Sequence, residues 1–223
     1  MPGPFAAFKW AALGRDWTVF AGGFAHTILV SFLALVLALL LGIIFGVLAS
    51  SKQKGFRTIS RIYVEIIQNT PLVIQVFFLY HALPHLGILL PTFTVGVLGV
   101  GVYHGAYMSE AVRAGVEAIP RGQLEAAYSQ GFKFWSAMRY IILPQAKRLA
   151  VPTMTNQAVS LIKNTSVLAM IAGGELMYHA DSWASNSLYY GPAYIVTGIL
   201  YLVICMPLAL YARRLEEQME VQA

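Results

Sequence analysis

Charge is the first thing this sequence lacks. Only 11% of its 223 residues are Asp, Glu, Lys or Arg, against about 25% in a soluble globular protein. The apolar share is 58%. A soluble domain of this size cannot cover itself with so few charges. The same apolar richness excludes a disordered chain. Cysteine is nearly absent: Cys205 stands alone, which rules out an internal disulfide and suggests no metal cluster. Histidine is sparse and scattered, at His26, His81, His85, His104 and His179. His81 and His85 have helical spacing, but Pro84 lies between them and no third ligand is near, so no metal site is expected. No G-x-x-x-x-G-K-[ST] phosphate loop occurs, and no clustered set of catalytic side chains. An integral membrane protein remains.

The apolar runs then give the number of crossings. A spanning helix needs roughly 20 mostly apolar residues. Residues 17–51 contain no Asp, Glu, Lys or Arg, and their centre, 28–49, is the first expected span. The next uncharged run, 66–109, is too long for one crossing. Pro84, Gly87 and Pro91 break it into two spans with a short loop. Residues 149–174, apolar apart from Lys163, give a fourth, and 182–212 a fifth that starts near Gly191. None of these runs alternates, so helices rather than a barrel are expected. The fold class is all-α integral membrane, with five transmembrane helices.

Twelve of the fifteen basic residues fall on alternate connections. Lys52, Lys54, Arg57 and Arg61 lie between spans one and two. Arg113, Arg121, Lys133, Arg139, Lys147 and Arg148 lie between spans three and four, and Arg213 and Arg214 follow span five. The opposite connections, 82–91 and 173–190, carry no Lys or Arg. The positive-inside rule places the N-terminus outside and the C-terminus in the cytoplasm. The net charge of +5 therefore reports a basic cytoplasmic face beside anionic lipid, with no nucleic-acid partner implied. Residues 1–17 lack the apolar core of a cleavable signal. Two readings stand for them: an interfacial segment carried by Phe5, Phe8, Trp10, Leu13 and Trp17, or a frayed leader.

Inside the first span Ala34, Ala38, Gly42, Gly46 and Ser50 recur every fourth residue. Small side chains on one helix face permit close helix contact; a pore-lining role is the other reading. Pro71 removes a backbone donor from span two and predicts a kink or an early break.

The longest hydrophilic stretch is 119–146. Pro120 and Gly122 start a short helix there, and Gly131 ends it with a sharp turn. A second short helix, 132–140, leads to Pro144. By shape this is a docking element or an ordinary amphipathic loop helix. Its residues say more. Glu125-Ala126-Ala127, Gly131, Ile141 and Leu143-Pro144 resemble the EAA loop of ABC importer permeases. Arg121-Gly122-Gln123 before the Glu fits the same pattern. So do Gln68-Asn69-Thr70-Pro71-Leu72, Ala106-Tyr107 with Glu110 and Arg113, and Leu161 through Ser166. Together they resemble the polar amino acid uptake subfamily over most of the chain.

The resemblance implies a permease subunit of the bacterial inner membrane, itself no enzyme. It implies a second permease chain, identical or homologous, and two cytoplasmic P-loop ATPases that hold ATP and Mg, this chain binding no cofactor. An extracytoplasmic amino acid-binding protein would deliver the substrate. Residues 18–215 would form the transmembrane domain and 216–223 a cytoplasmic tail. Gln123, Glu125, Ala126, Ala127 and Gly131 would couple to the ATPase.

Polar groups at membrane depth are costly and mark candidate pathways. Here they are Lys163, Asn164, Thr165, Ser166, Tyr107, Glu110 and Gln75. Glu110 also has Arg113 one turn away as a structural partner, and Lys163 has snorkelling as an alternative. Many members of the subfamily carry Asp where this chain has Asn164. That departure favours acidic or amide amino acids, such as glutamate, aspartate or glutamine, over cationic ones. A stand-alone secondary transporter or channel is the other functional class. It needs coupling carboxylates at the midplane, and Glu110 is the one clear span candidate.

Overall fold

A computed structural model describes residues 3–220; Met1, Pro2 and 221–223, the ends of the expected N-terminal segment and tail, lie outside them. Among the described residues every regular element is helical. In order these are α1 (Ala7–Arg15), α2 (Trp17–Ala49), α3 (Lys54–Gln68), α4 (Leu72–Phe77), α5 (Thr92–Glu117), α6 (Arg121–Ser129), α7 (Phe134–Ala137), α8 (Leu143–Asn164), α9 (Leu176–Ser187) and α10 (Tyr190–Glu220). By length and apolarity, α2 and α10 qualify as membrane spans, and α3 with 72–86 makes a third if the broken pair is one crossing. At 26 and 22 residues, α5 and α8 run roughly 39 and 33 Å, enough for a bilayer core of about 30 Å.

The break between α3 and α4 falls at Asn69–Thr70–Pro71, where Pro71 can donate no hydrogen bond. The Asn69 Nδ2 and Thr70 Oγ1 donate to the Glu65 and Ile66 carbonyls, both at 2.8 Å, closing off the end of α3. A second change of helix type follows Asn164. The Thr165 hydroxyl donates to the Ile162 carbonyl at 2.7 Å and the Ser166 hydroxyl to that of Lys163 at 2.8 Å. From Thr165 to Ile171 the helix tightens to 3-10 geometry, as side-chain bonds three residues back favour.

The chain forms two compact units. One comprises residues up to Ala34, Leu72–Val100 and Ser160–Pro207. Its core joins Leu13, Phe20, Leu176, Ala180, Trp183 and Ala193. The Trp183 indole donates to the Asp16 carboxylate at 2.7 Å, and its ring meets Phe20 edge-on at 5.5 Å. The N-terminal segment therefore packs as a helix, α1, with Leu13 buried and Phe8 against Tyr189. Phe5, Trp10 and Trp17 stay exposed. The connection 173–190 is largely helix rather than open loop, because Leu176, Ala180, Trp183 and Ala184 share one buried face of α9.

The second unit comprises Leu35–Pro71, Gly101–Val159 and the chain from Leu208. Here the small-residue stripe of α2 serves close packing. A Cβ on Gly42 would lie 2.6 Å from Met108 Cβ, and one on Gly46 2.6 Å from Val112 Cβ. The Tyr63 hydroxyl donates to the Val102 carbonyl at 2.7 Å, and its ring stacks on Phe45 at 4.1 Å. Overpacking a tight contact costs about 1–3 kcal/mol, so Gly46→Leu is expected to destabilise by at least that much. Thermal unfolding of the detergent-solubilised protein checks it, and an unchanged midpoint would contradict the packing role.

Candidate functional site

Two cavities and one exposed helix collect the chemistry-bearing side chains. The larger cavity, of about 1240 Å³, lies wholly in the second unit. Its wall is chiefly α3, the C-terminal part of α5 and the start of α6. On α3 the residues Lys54, Arg57, Arg61, Glu65 and Gln68 face it, spaced three and four apart so that they share one side. The isoleucines at 59, 62 and 66 take the opposite side and are more than half exposed. From α5 come Glu110, Arg113 and Glu117, with Arg121 at the start of α6.

Arg113 organises the acids. Its Nε donates to both Glu110 oxygens at 3.1 Å, and its terminal nitrogens reach Glu110 and Glu117 at 2.7 Å each. Glu110 thus pairs with Arg113 and also lines this polar cleft. Gln68 stands in the same wall and donates to the Ala106 carbonyl at 3.3 Å. Tyr107 instead shares a 3.1 Å hydrogen bond with the Tyr103 hydroxyl.

The smaller cavity, of about 340 Å³, belongs to the first unit. Lys163 and Ser166 line it with Met177, Tyr194, Thr197 and Tyr201. Lys163 is its one charged lining group. The Tyr194 and Tyr201 hydroxyls are already donated, to Asp181 at 2.6 Å and to Glu175 at 3.0 Å. Thr165 is fully buried, and Asn164 and Gln75 are half-buried on α8 and α4. These three line neither cavity, so the expected pathway set is only partly brought together.

The third feature is α6. Nine residues long, it buries only Ala127. Gln123, Glu125 and Ala126 are exposed. Among the described residues the Glu125 carboxylate has no partner; only its backbone carbonyl is used, by the Ser129 hydroxyl at 3.1 Å. The helix ends as a Schellman motif. Gly131 N–H donates to the Tyr128 carbonyl at 2.9 Å and Phe132 N–H to that of Ala127 at 3.0 Å. This ending requires the left-handed conformation that Gly131 adopts, φ +84°. The residues expected for docking therefore share one element and its turn.

The sequence reading passed over two groups. Lys54 and Arg57 contributed only to orientation, and Arg121 to orientation and the docking pattern, although the spacing of 54, 57, 61, 65 and 68 already marked a charged face. Glu175 lies in the connection 173–190, where nothing in the local sequence sets it apart. It is fully buried and caps α9.

Helices with exposed apolar faces and a charged cleft inside them define a multi-pass membrane transport component. Residues 38–221 match the family described as binding-protein-dependent transport system inner membrane component. The chain belongs to this family, and so to the multi-pass proteins of the inner membrane, which carry solute rather than catalyse. It is 38% identical to the probable glutamine ABC transporter permease protein GlnM of Bacillus subtilis (strain 168), over 92% of this chain and 95% of that one. To the L-cystine transport system permease protein TcyB of the same organism it is 31% identical, over 96% and 92%. A crystal structure of an amino acid ABC transporter with histidines superposes with a TM-score of 0.81 at 31% identity, covering 92% of this chain and 97% of that one.

Proposed function

We propose that this chain is the transmembrane permease subunit of an ATP-driven importer of polar amino acids. It pairs with a second permease chain, stands on two P-loop ATPases that hold ATP and Mg, and receives substrate from an extracytoplasmic binding protein. In this reading the chain crosses five times, with the N-terminus outside and α6 and the C-terminus in the cytoplasm. Residues 18–215 form the transmembrane domain between the segment 1–17 and the tail 216–223. Gln123, Glu125, Ala126, Ala127 and Gly131 dock on the ATPase within the coupling segment 119–146.

The observation that carries this reading is α6. A short helix with one buried residue, an unpartnered acid and a rigid glycine turn is built to be gripped from outside. Lys163, Asn164, Thr165, Ser166, Tyr107, Glu110 and Gln75 are assigned to the substrate pathway. The two cavities support Lys163, Ser166 and Glu110 most directly, because ionisable groups at membrane depth face polar space. Substrate alternates between sides as ATPase closure is passed through α6.

The favoured substrates are acidic or amide amino acids. Asn164 adds no carboxylate for a cationic side chain, and Lys163 brings positive charge to its cavity. The test is ATPase activity of the purified complex in nanodiscs, with binding protein and a panel of amino acids. Glutamine, glutamate or aspartate is expected to stimulate at least fivefold more than arginine or lysine. Stronger stimulation by arginine overturns the substrate class. Failure to co-purify with any P-loop ATPase overturns the importer.

A further inference from the structure

The large cleft carries more positive charge than its own acids neutralise. Glu110 and Glu117 are both held by Arg113, and Glu65 lies 3.6 Å from Arg61. Each acid in the wall thus has a basic partner, and the five basic side chains Lys54, Arg57, Arg61, Arg113 and Arg121 against the three acids leave the wall a net charge of +2. Lys54, Arg57 and Arg121 line the same space and have no ion pair or hydrogen bond from their side chains among the described residues. Three of the hydroxyls that line the cleft are engaged, and the Thr58 hydroxyl is the fourth. Ser50 donates to the Gly46 carbonyl, Ser60 to that of Phe45, and Ser51 accepts from the Gln53 N–H. Neither α3 nor α6 has an acid in its first turn.

Three free cations facing one partly enclosed space raise the local potential, because low-dielectric walls focus the field. Two of them are guanidinium forks, whose paired donors match a carboxylate. A volume of about 1240 Å³ far exceeds an amino acid. We infer that this cleft binds a small carboxylate anion from the cytoplasm at Lys54, Arg57 and Arg121, and that its occupancy slows the transport cycle. This rests on the importer reading above: the anion supplied there is an acidic amino acid that has already been imported.

The slowing follows from where the cations sit. Lys54 and Arg57 belong to α3, and Arg121 opens the docking helix α6. An anion held by both elements ties α6 to α3 and favours the arrangement in which they share the cleft. A ligand that prefers one state shifts the equilibrium toward it, so α6 is less free to pass on ATPase closure.

The test uses the whole complex in proteoliposomes, with the ATPases facing the external buffer and binding protein and substrate inside. Millimolar L-glutamate or succinate added outside is expected to lower ATP-driven transport and ATPase activity at least threefold. L-lysine, or chloride at matched ionic strength, leaves them unchanged. Lys54→Gln with Arg57→Gln, both side chains being exposed, should raise the half-inhibitory concentration at least fivefold, each protein being compared with its own uninhibited rate. Equal inhibition of this variant, or equal inhibition by lysine or chloride, overturns the proposal. Stronger inhibition by inorganic phosphate overturns the carboxylate assignment. Thermal unfolding of the detergent-solubilised complex reads the site without transport: succinate raises the midpoint of the wild type only. No shift there sinks the anion site, whereas a shift without ATP-driven transport sinks the importer reading and leaves the site standing.

Discussion

Glu125→Lys is expected to abolish ATP-driven transport while the protein folds as before. The two halves of that expectation come from different observations. The side chain is exposed and engages no other group among the described residues, and exposed substitutions of that kind change stability by about 0.5 kcal/mol or less. In the proposed complex the same carboxylate lies in an ATPase cleft. Loss of one partner from a buried, hydrogen-bonded charge pair costs about 2–5 kcal/mol, and reversing its sign adds repulsion. A loss of ATPase binding of roughly thirtyfold or more follows. Gly131→Val acts at the same element by another route. At φ +84° a β-branched residue is strained by about 1–3 kcal/mol, which breaks the Schellman ending and re-aims α7. Pull-down of the ATPase, with circular dichroism as the folding control, separates the cases. A Glu125→Lys protein that retains wild-type ATPase binding and uptake would remove α6 from the docking site.

The boundaries of α6 were legible because they are written in local chemistry. Pro120 starts it and Gly131 stops it, and neither depends on distant contacts. The break at Pro71 was legible for the same reason. So was α2, whose length needs only an uncharged run. What stayed hidden depends on neighbours remote in sequence. The smaller cavity takes its walls from α8, α9 and α10, and no window along the chain contains them together. The charged side of α3 lay in between. Its three- and four-residue spacing was present, but the same residues also marked the cytoplasmic side, and that use absorbed them. The helix α9 was missed because LMYHADSWASNS mixes polar and apolar residues; its four buried positions recur at helical spacing, and a mean over the window erases that pattern.

Glu175 joins the N-terminus of α9 to the rest of its unit, and removing it should cost that unit much of its stability. The carboxylate is fully buried. It accepts from the Met177 and Tyr178 N–H groups at 2.6 and 2.7 Å and from the Tyr201 hydroxyl at 3.0 Å. The adjacent Leu176 N–H is taken by Thr27 at 3.0 Å. One acid therefore satisfies two of the orphan donors at the start of α9 and pins that helix to α10. Glu175→Ala leaves three donors without an acceptor, each costing about 1–3 kcal/mol, so a loss of about 3 kcal/mol or more is expected. Tyr201→Phe removes one bond and should cost about 1 kcal/mol. The protonation behaviour gives an independent check. Burial pushes the Glu175 carboxyl above the usual carboxylate range, and its three hydrogen bonds only partly oppose that. The folded state therefore holds the proton more tightly than the unfolded chain. Its contribution favours folding most below the unfolded value of about 4.3 and weakens as pH rises through the folded value. Lowering the pH through the folded value toward the unfolded one should raise the wild-type unfolding midpoint relative to that of Glu175→Gln, which does not titrate. Parallel pH profiles for the two proteins, or a Glu175→Ala protein within about 0.5 kcal/mol of wild type, would show that α9 is held by its apolar face alone.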